Sequence, residues 1–203
     1  MRQLEKNLLS RTRIIESAKR EFAAKGYGLS SINTICSEGG ISKGNLYHYF
    51  KDKDTLYIAC INDCFEKLSI FLKTCLSEDL SPQEELEHYF TARMRYFSQH
   101  MEDQWLFLEA VTAPPEMLKT DIWACRKPFD DLNTELLESI LGKTHLKPGI
   151  GKEEAIETFR LFQDFVNARY PSVIDPVDRE KICKRAIFIF LYGILNEEPN
   201  EKQ

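Results

Sequence analysis

Apolar residues recur along this chain at spacings of three and four, the period of an α-helix with one buried face, and nothing alternates strand-fashion for more than a few residues. An all-α fold follows. Ile14, Ile15, Ala18 and Phe22 mark one face of a first helix, about 11–25, which Gly26 ends. Ser30 and Ser31 offer an N-cap for a short second helix carrying Ile32 and Ile35 and stopping at Gly39-Gly40. Ser42 caps a third short helix, Lys43 to Tyr49. Asp52 caps a fourth, where Tyr57, Ile61, Phe65, Leu68, Leu72 and Cys75 form a single stripe. At ~1.5 Å per residue that helix reaches roughly 35 Å, long enough to connect two domains.

The second half is punctuated more sharply. Ser81-Pro82-Gln83-Glu84 is a capping box with Pro at N1, opening a helix to about His100. Pro114-Pro115 closes the next helix, Gln104–Ala113. A stretch over Glu116–Leu141 is expected to kink or break near Pro128. After a loop from Gly142 to Gly151, Glu153–Tyr170 is helical until Pro171, and Asp175-Pro176-Val177-Asp178 opens a last helix to about Asn196. The tail Glu197–Gln203 is expected to fray.

Charge divides this helical chain. Of the net −5, residues 1–57 carry +4 and the remainder −9, the asymmetry of one module that meets phosphates and another that does not. Six cysteines occur without a CxxC pair, and Met1 leads into a polar stretch, so a reduced cytoplasmic compartment is expected. The longest apolar run, Ala186–Tyr192, is too short for a membrane span.

Two short helices joined by a Gly-bearing turn fill residues 31–50, the layout with which a helix is presented to the DNA major groove. Ile32 and Ile35 brace against Phe22, Ile41 and Leu46, while the second helix offers its first turn. Gly44 there removes a side chain and admits a close backbone approach. Asn45 can pair with an adenine edge, and Lys43 can reach guanine or phosphate. Tyr47 and His48 add a hydroxyl and an imidazole, with Ser31, Thr34 and Ser42 completing the expected contacts. Lys53 is placed to grip the phosphate backbone. Tyr49 and Phe50 read as partly or wholly core.

Residues 8–68 resemble the DNA-binding domain of the TetR family of transcriptional regulators. The resemblance rests on Ile14-Ile15-xx-Ala18-xxx-Phe22-xxx-Gly26, on Ser30-Ser31-Ile32-xx-Ile35, and above all on Gly40-Ile41-Ser42-Lys43-Gly44-x-Leu46-Tyr47-x-Tyr49-Phe50-xx-Lys53-xx-Leu56. It implies that Lys43, Gly44, Tyr47 and Lys53 meet DNA while Asn45 and His48 tune the sequence read. Cys36 and Gly39 stand where the family usually has Ala. Beyond about residue 70 the resemblance is architectural: a helical domain, 69–203, for effector binding and dimerisation.

In that domain Phe90, Met94, Phe97, Trp105, Leu108, Glu109 and Trp123 are candidates to line an apolar ligand pocket, with Glu109 a polar anchor. The final helix is apolar nearly all round and needs neighbours on several sides. Paired with Glu153–Tyr170, it forms the expected dimer interface, through Phe159, Phe162, Val166, Ile187, Phe190, Leu191 and Ile194, as a four-helix bundle of the kind the family uses. Burial of both helices within one subunit is the alternative.

Cys60 and Cys64, four residues apart, have no third ligand nearby in sequence and read as buried small hydrophobes. No metal or other cofactor is expected. HExxH, GxGxxG, P-loop and GxSxG patterns are lacking, which argues against an enzyme. The expectation is therefore a homodimeric repressor, released from a pseudo-palindromic duplex operator by a small-molecule effector. A ligand-independent regulator or an activator on the same fold is the alternative.

Overall fold

The computed structural model describes residues 2–75, 80–143, 145–169 and 176–194; the predicted cap at Asp175, the stop at Pro171 and the tail Glu197–Gln203 lie outside the described residues. The described elements are helical: α1 Arg2–Leu29, α2 Ile32–Gly39, α3 Lys43–Tyr49, α4 Lys53–Cys75, α5 Pro82–Gln99, α6 Met101–Thr112, α7 Lys119–Gly142, α8 Lys152–Arg169 and α9 Pro176–Ile194, with a short 3-10 turn at Glu116–Leu118.

Most ends fall where the local chemistry places them. Ser31 accepts the amide of Asn33, Ser42 that of Asn45 and Asp52 that of Thr55, so α2, α3 and α4 each begin on a side-chain cap. The capping box forms as read, with Ser81 N–H donating to Glu84 at 3.0 Å and Glu84 N–H returning to Ser81 Oγ at 3.4 Å. Gly40, at φ 58°, closes α2 by giving its N–H to Cys36 and Ser37 carbonyls.

Two elements differ from expectation. α1 starts at Arg2 rather than near residue 11. Its first turns lack breakers and are rich in good helix formers, while exposed Leu8 and Leu9 interrupt any amphipathic signal. α7 continues through Pro128 from Lys119 to Gly142, although the proline removes one backbone bond.

The chain divides into two compact units: Met1–Lys67 with Gln99–Pro128, and Leu68–Ser98 with Phe129–Gln203. Residues Gln99–Pro128 therefore join the N-terminal unit although they fall within the span 69–203 read as the effector domain. α4 and α7 each contribute residues to both units.

Within the first unit α1 packs on α2 and α6, and α2 on α3. Ile14, Ala18 and Phe22 from α1, Ile35 from α2, Leu46 from α3 and Leu56, Tyr57 and Ile61 from α4 are all buried. Phe22 meets Tyr57 edge-on at 5.0 Å. In the second unit Phe90 packs against Phe159 and Phe162, and Phe190 closes on both. Tyr89, Asn133 and Gln163 form a buried polar knot there: Asn133 Oδ1 accepts from Tyr89 Oη and, at 2.9 Å, from Gln163 Nε2.

Candidate nucleic-acid interface

α3 is seven residues long and is held by two apolar side chains. Leu46 is fully buried and Phe50, its C-cap, nearly so, while Ser42, Lys43, Gly44, Asn45, Tyr47 and His48 are exposed, Tyr47 by half. An apolar peg thus fixes a helix whose remaining side chains point to solvent. Gly44 is the informative member. A Cβ built there meets nothing within 4 Å, so no packing inside the chain requires glycine, which costs about 1 kcal/mol against Ala in a helix. The open space suits a partner outside the chain.

The turn before α3 is built the opposite way. A Cβ on Gly39 would come 2.6 Å from Ile41 Cδ1 and 2.7 Å from Ser17 Oγ, so the departure from Ala at this position follows from close packing of α1 against the turn. Ser17 donates to the Ile35 carbonyl at 2.9 Å and Arg13 Nε to the Gly39 carbonyl at 3.0 Å, fixing α2 at both ends of its last turn. At its start, Glu21 accepts the Ser31 amide at 3.0 Å. Cys36, the other departure, is buried as a small hydrophobe. Thr34 and Ser31 are half-buried on α2 beside the exposed face.

Lys53 is half-buried: its ammonium donates to the carbonyls of Tyr27 at 2.7 Å and Ser30 at 3.3 Å and lies 4.4 Å from the centre of the Tyr27 ring. The end of α1 leaves carbonyls without helical partners, and a nearby cation answers them. The sequence showed the charge but not the carbonyls that take it.

Glu109 makes contacts of its own within the first unit. From α6 its Oε1 accepts the Tyr27 amide at 3.2 Å and its Oε2 accepts from Tyr57 Oη at 2.8 Å. Burial and then Glu109 push the Tyr57 hydroxyl well above its ordinary range. Gly26, at φ 70°, brings the backbone to this carboxylate, and a Cβ there would lie 3.3 Å from Oε1. Burial, together with the hydrogen bond to Asp54, pushes the Tyr27 hydroxyl up to about 12.

A second tie lies farther along α1. Buried Lys19 reaches Asp103 of α6 at 2.6 Å and Asp63 of α4 at 2.5 Å. Burial alone would lower its pKa, but the two carboxylates outweigh it and hold Lys19 charged. Burial raises Asp63 and the hydrogen bonds from Lys19 and Lys67 outweigh that, leaving it below the usual carboxylate range. Neither charged tie carried a motif; the one available signal was a Lys on the apolar face of α1. Cys60 and Cys64 sit beside this network, fully buried, their thiols pushed up by burial and directed at the carbonyls of Ile15 and Asp103. Among the described residues, no three His, Cys, Asp or Glu side chains gather as metal ligands.

The remaining pocket candidates fall in both units. Phe90 and Phe97 are buried and Met94 half-buried in the second, whereas Trp105 and Trp123 are exposed and Leu108 is half-buried in the first. The interface candidates differ in their exposure within the subunit. Phe159, Ile187, Leu191 and Ile194 are buried, Phe162 and Phe190 are half-buried against Phe90 and each other, and the side chain of Val166 lies outside the described residues. Among the described residues, the large apolar side chains exposed on α8 and α9 are Leu161, Ile182, Phe188, Ile189 and Tyr192. A helix apolar on every side does not announce which side its own subunit covers.

Residues 14–60 match the family model for bacterial regulatory proteins of the tetR family. That stretch is therefore similar to the DNA-binding domain of the tetR family. Among curated relatives the chain is 35% identical over 91 residues to the HTH-type transcriptional regulator YerO of Bacillus subtilis, 43% of this chain and 31% of that protein. It is 43% identical over 54 residues to YuxN of the same organism, another HTH-type transcriptional regulator, 27% of this chain and 19% of that one. The chain thus spans less than a third of the length of these two relatives. Among solved structures, FadR of Bacillus subtilis in complex with stearoyl-CoA superposes with a TM-score of 0.74 at 16% identity, covering 90% of this chain and 98% of that one. The fold is therefore shared with that structure over most of the chain, and the family-model match lies within the first unit. No described helix is long and apolar enough to cross a membrane.

Proposed function

We propose that this chain is a homodimeric TetR-family repressor that sets α3 into the major groove of a pseudo-palindromic operator and leaves it when a small ligand binds. The observation that carries the reading is α3 itself: anchored by Leu46 and Phe50, exposed elsewhere, and carrying in Gly44 a glycine its own packing does not need. Lys43 and Asn45 supply phosphate and base-edge donors from the same turn, and Tyr47 and His48 extend them. Ser31, Thr34 and Ser42 border this surface, and the cap bonds of Ser31 and Ser42 use oxygen lone pairs, leaving the hydroxyl protons for phosphates.

The dimer forms through the outward faces of α8 and α9, where Leu161, Ile189 and Tyr192 are more than half exposed. Two copies of α3 then engage two half-sites, multiplying a weak single contact. The effector is apolar and held near Phe90, Met94 and Phe97, aromatic and flexible side chains suited to a lipophilic body. Stearoyl-CoA, the ligand of the FadR complex, is a first probe of that class. Because α6 grips α1 through Asp103–Lys19 and Glu109–Tyr27, a shift of α6 drags the reading helices with it. Coupling of about 1–3 kcal/mol between ligand and DNA is the usual scale. The protein works in the cytoplasm, where its DNA is.

The test is a titration of labelled duplex at several salt concentrations. A steep fall of affinity with salt, shared by wild type and an exposed Glu138→Ala control but weakened in Lys43→Ala, is expected. Affinity indifferent to salt overturns the reading.

A further inference from the structure

α1 projects beyond the domain core. Positions 7, 11, 14, 18 and 22 follow one another at helical spacing and lie on a single stripe. The last three, Ile14, Ala18 and Phe22, are buried. Upstream the same stripe changes character to Asn7 and Arg11, about 10 Å of helix past Ile14. These two meet the end of the reading helix: Asn7 Oδ1 accepts from Tyr49 Oη at 3.4 Å, and the Arg11 guanidinium lies 5.5 Å from the centre of the Phe50 ring. Lys6 is exposed next to them. Between Glu5 and Glu16 the chain carries Lys6, Arg11 and Arg13 and no acid. Arg13 spends its Nε on the Gly39 carbonyl, which leaves Lys6 and Arg11 as the outward cations of this ridge.

We infer that the α1 projection is a second DNA contact, with Lys6 and Arg11 bound to backbone phosphates that flank the groove α3 enters. The inference rests on the operator-binding reading above. Its chemistry is that of the phosphodiester backbone: two cations and no acid, fixed beside the reading helix by the contacts with Tyr49 and Phe50. Phosphate contacts of this kind set affinity and register without reading bases. The Arg11–Phe50 stack orients the guanidinium, and its planar donors match phosphate oxygens.

The experiment measures binding of the full chain to a duplex bearing its selected sites, over a salt series. Lys6→Ala and Arg11→Ala should each weaken binding and flatten the slope of log affinity against log salt by about 0.9 for every phosphate that is no longer neutralised. Arg11→Lys should restore most of the slope, and the sequences each variant selects should match those of wild type. A wild-type slope in both alanine variants overturns the inference, and so does a changed sequence preference, which would mean base reading. Should Arg11→Ala unfold, Lys6→Ala and Arg11→Lys decide the matter, because both keep a cation over Phe50. A wild-type protein that binds no duplex in a salt-dependent way defeats the underlying operator reading instead, so the two failures are distinct.

Discussion

Gly44 and Gly39 are separated by five residues and exist for opposite reasons. Gly39 is crowded by Ile41 and Ser17, whereas Gly44 faces open space. Gly44→Ala should therefore stabilise the fold by up to about 1 kcal/mol, through helix propensity alone, while weakening duplex binding at least tenfold. Denaturant unfolding and a binding titration check the two halves separately; weaker folding together with unchanged binding would show the site to be structural. Asn45→Ala should relax preference at one base position, losing about 1–3 kcal/mol of discrimination there. The sequence already pointed to both residues, from side-chain chemistry at a fixed place in a turn. It did not reveal the partners of Lys53 and Glu109, which include backbone groups at the end of α1 that no residue pattern marks.

At the scale of elements, α1 is tied to α6 by two charged contacts and braced by a buried aromatic pair. Asp103→Ala leaves Lys19 buried with one carboxylate fewer and should cost about 3–5 kcal/mol, read by chemical denaturation. The pH dependence follows from the same groups. Asp63 is held below the usual carboxylate range in the folded state, so its contribution is present above that range and is lost as pH falls through its folded pKa. Lys19 is held above the ordinary lysine value, so its contribution is complete below that value and fades as pH rises past it. Tyr27 adds stability that disappears between pH 10 and about 12. A broad plateau at neutral pH with losses at both ends is expected in a melting series. Helix ends with caps were legible in sequence at α2, α3, α4 and α5, since each cap is local. The early start of α1 and the unbroken course of α7 were not, because exposed leucines blur a helical face and a proline within a helical pattern reads as a break.

For the whole molecule, the all-α architecture could be read from periodicity, and the stretch from Ser42 to Phe50 forms the short, largely exposed helix that its motif predicts. The division into units was less legible. α6 and the start of α7 belong with the N-terminal helices through contacts made by Lys19 and Tyr27, some 80 residues away in sequence. Which face of α9 stays exposed was not legible for a related reason: burial of Leu191 and exposure of Ile189 are settled by packing, in a helix whose sequence is apolar at both. Ile189→Asp should therefore yield a folded monomer in sedimentation, whereas Leu191→Ala should lower subunit stability by about 2–5 kcal/mol. Repression of the proposed kind requires two copies of α3 to read one duplex. Selection of bound sequences from a random duplex pool measures that directly. An enriched inverted repeat, its half-sites about one helical turn apart, is the predicted result; a pool that remains random, or a lone half-site without its mirror image, would contradict it.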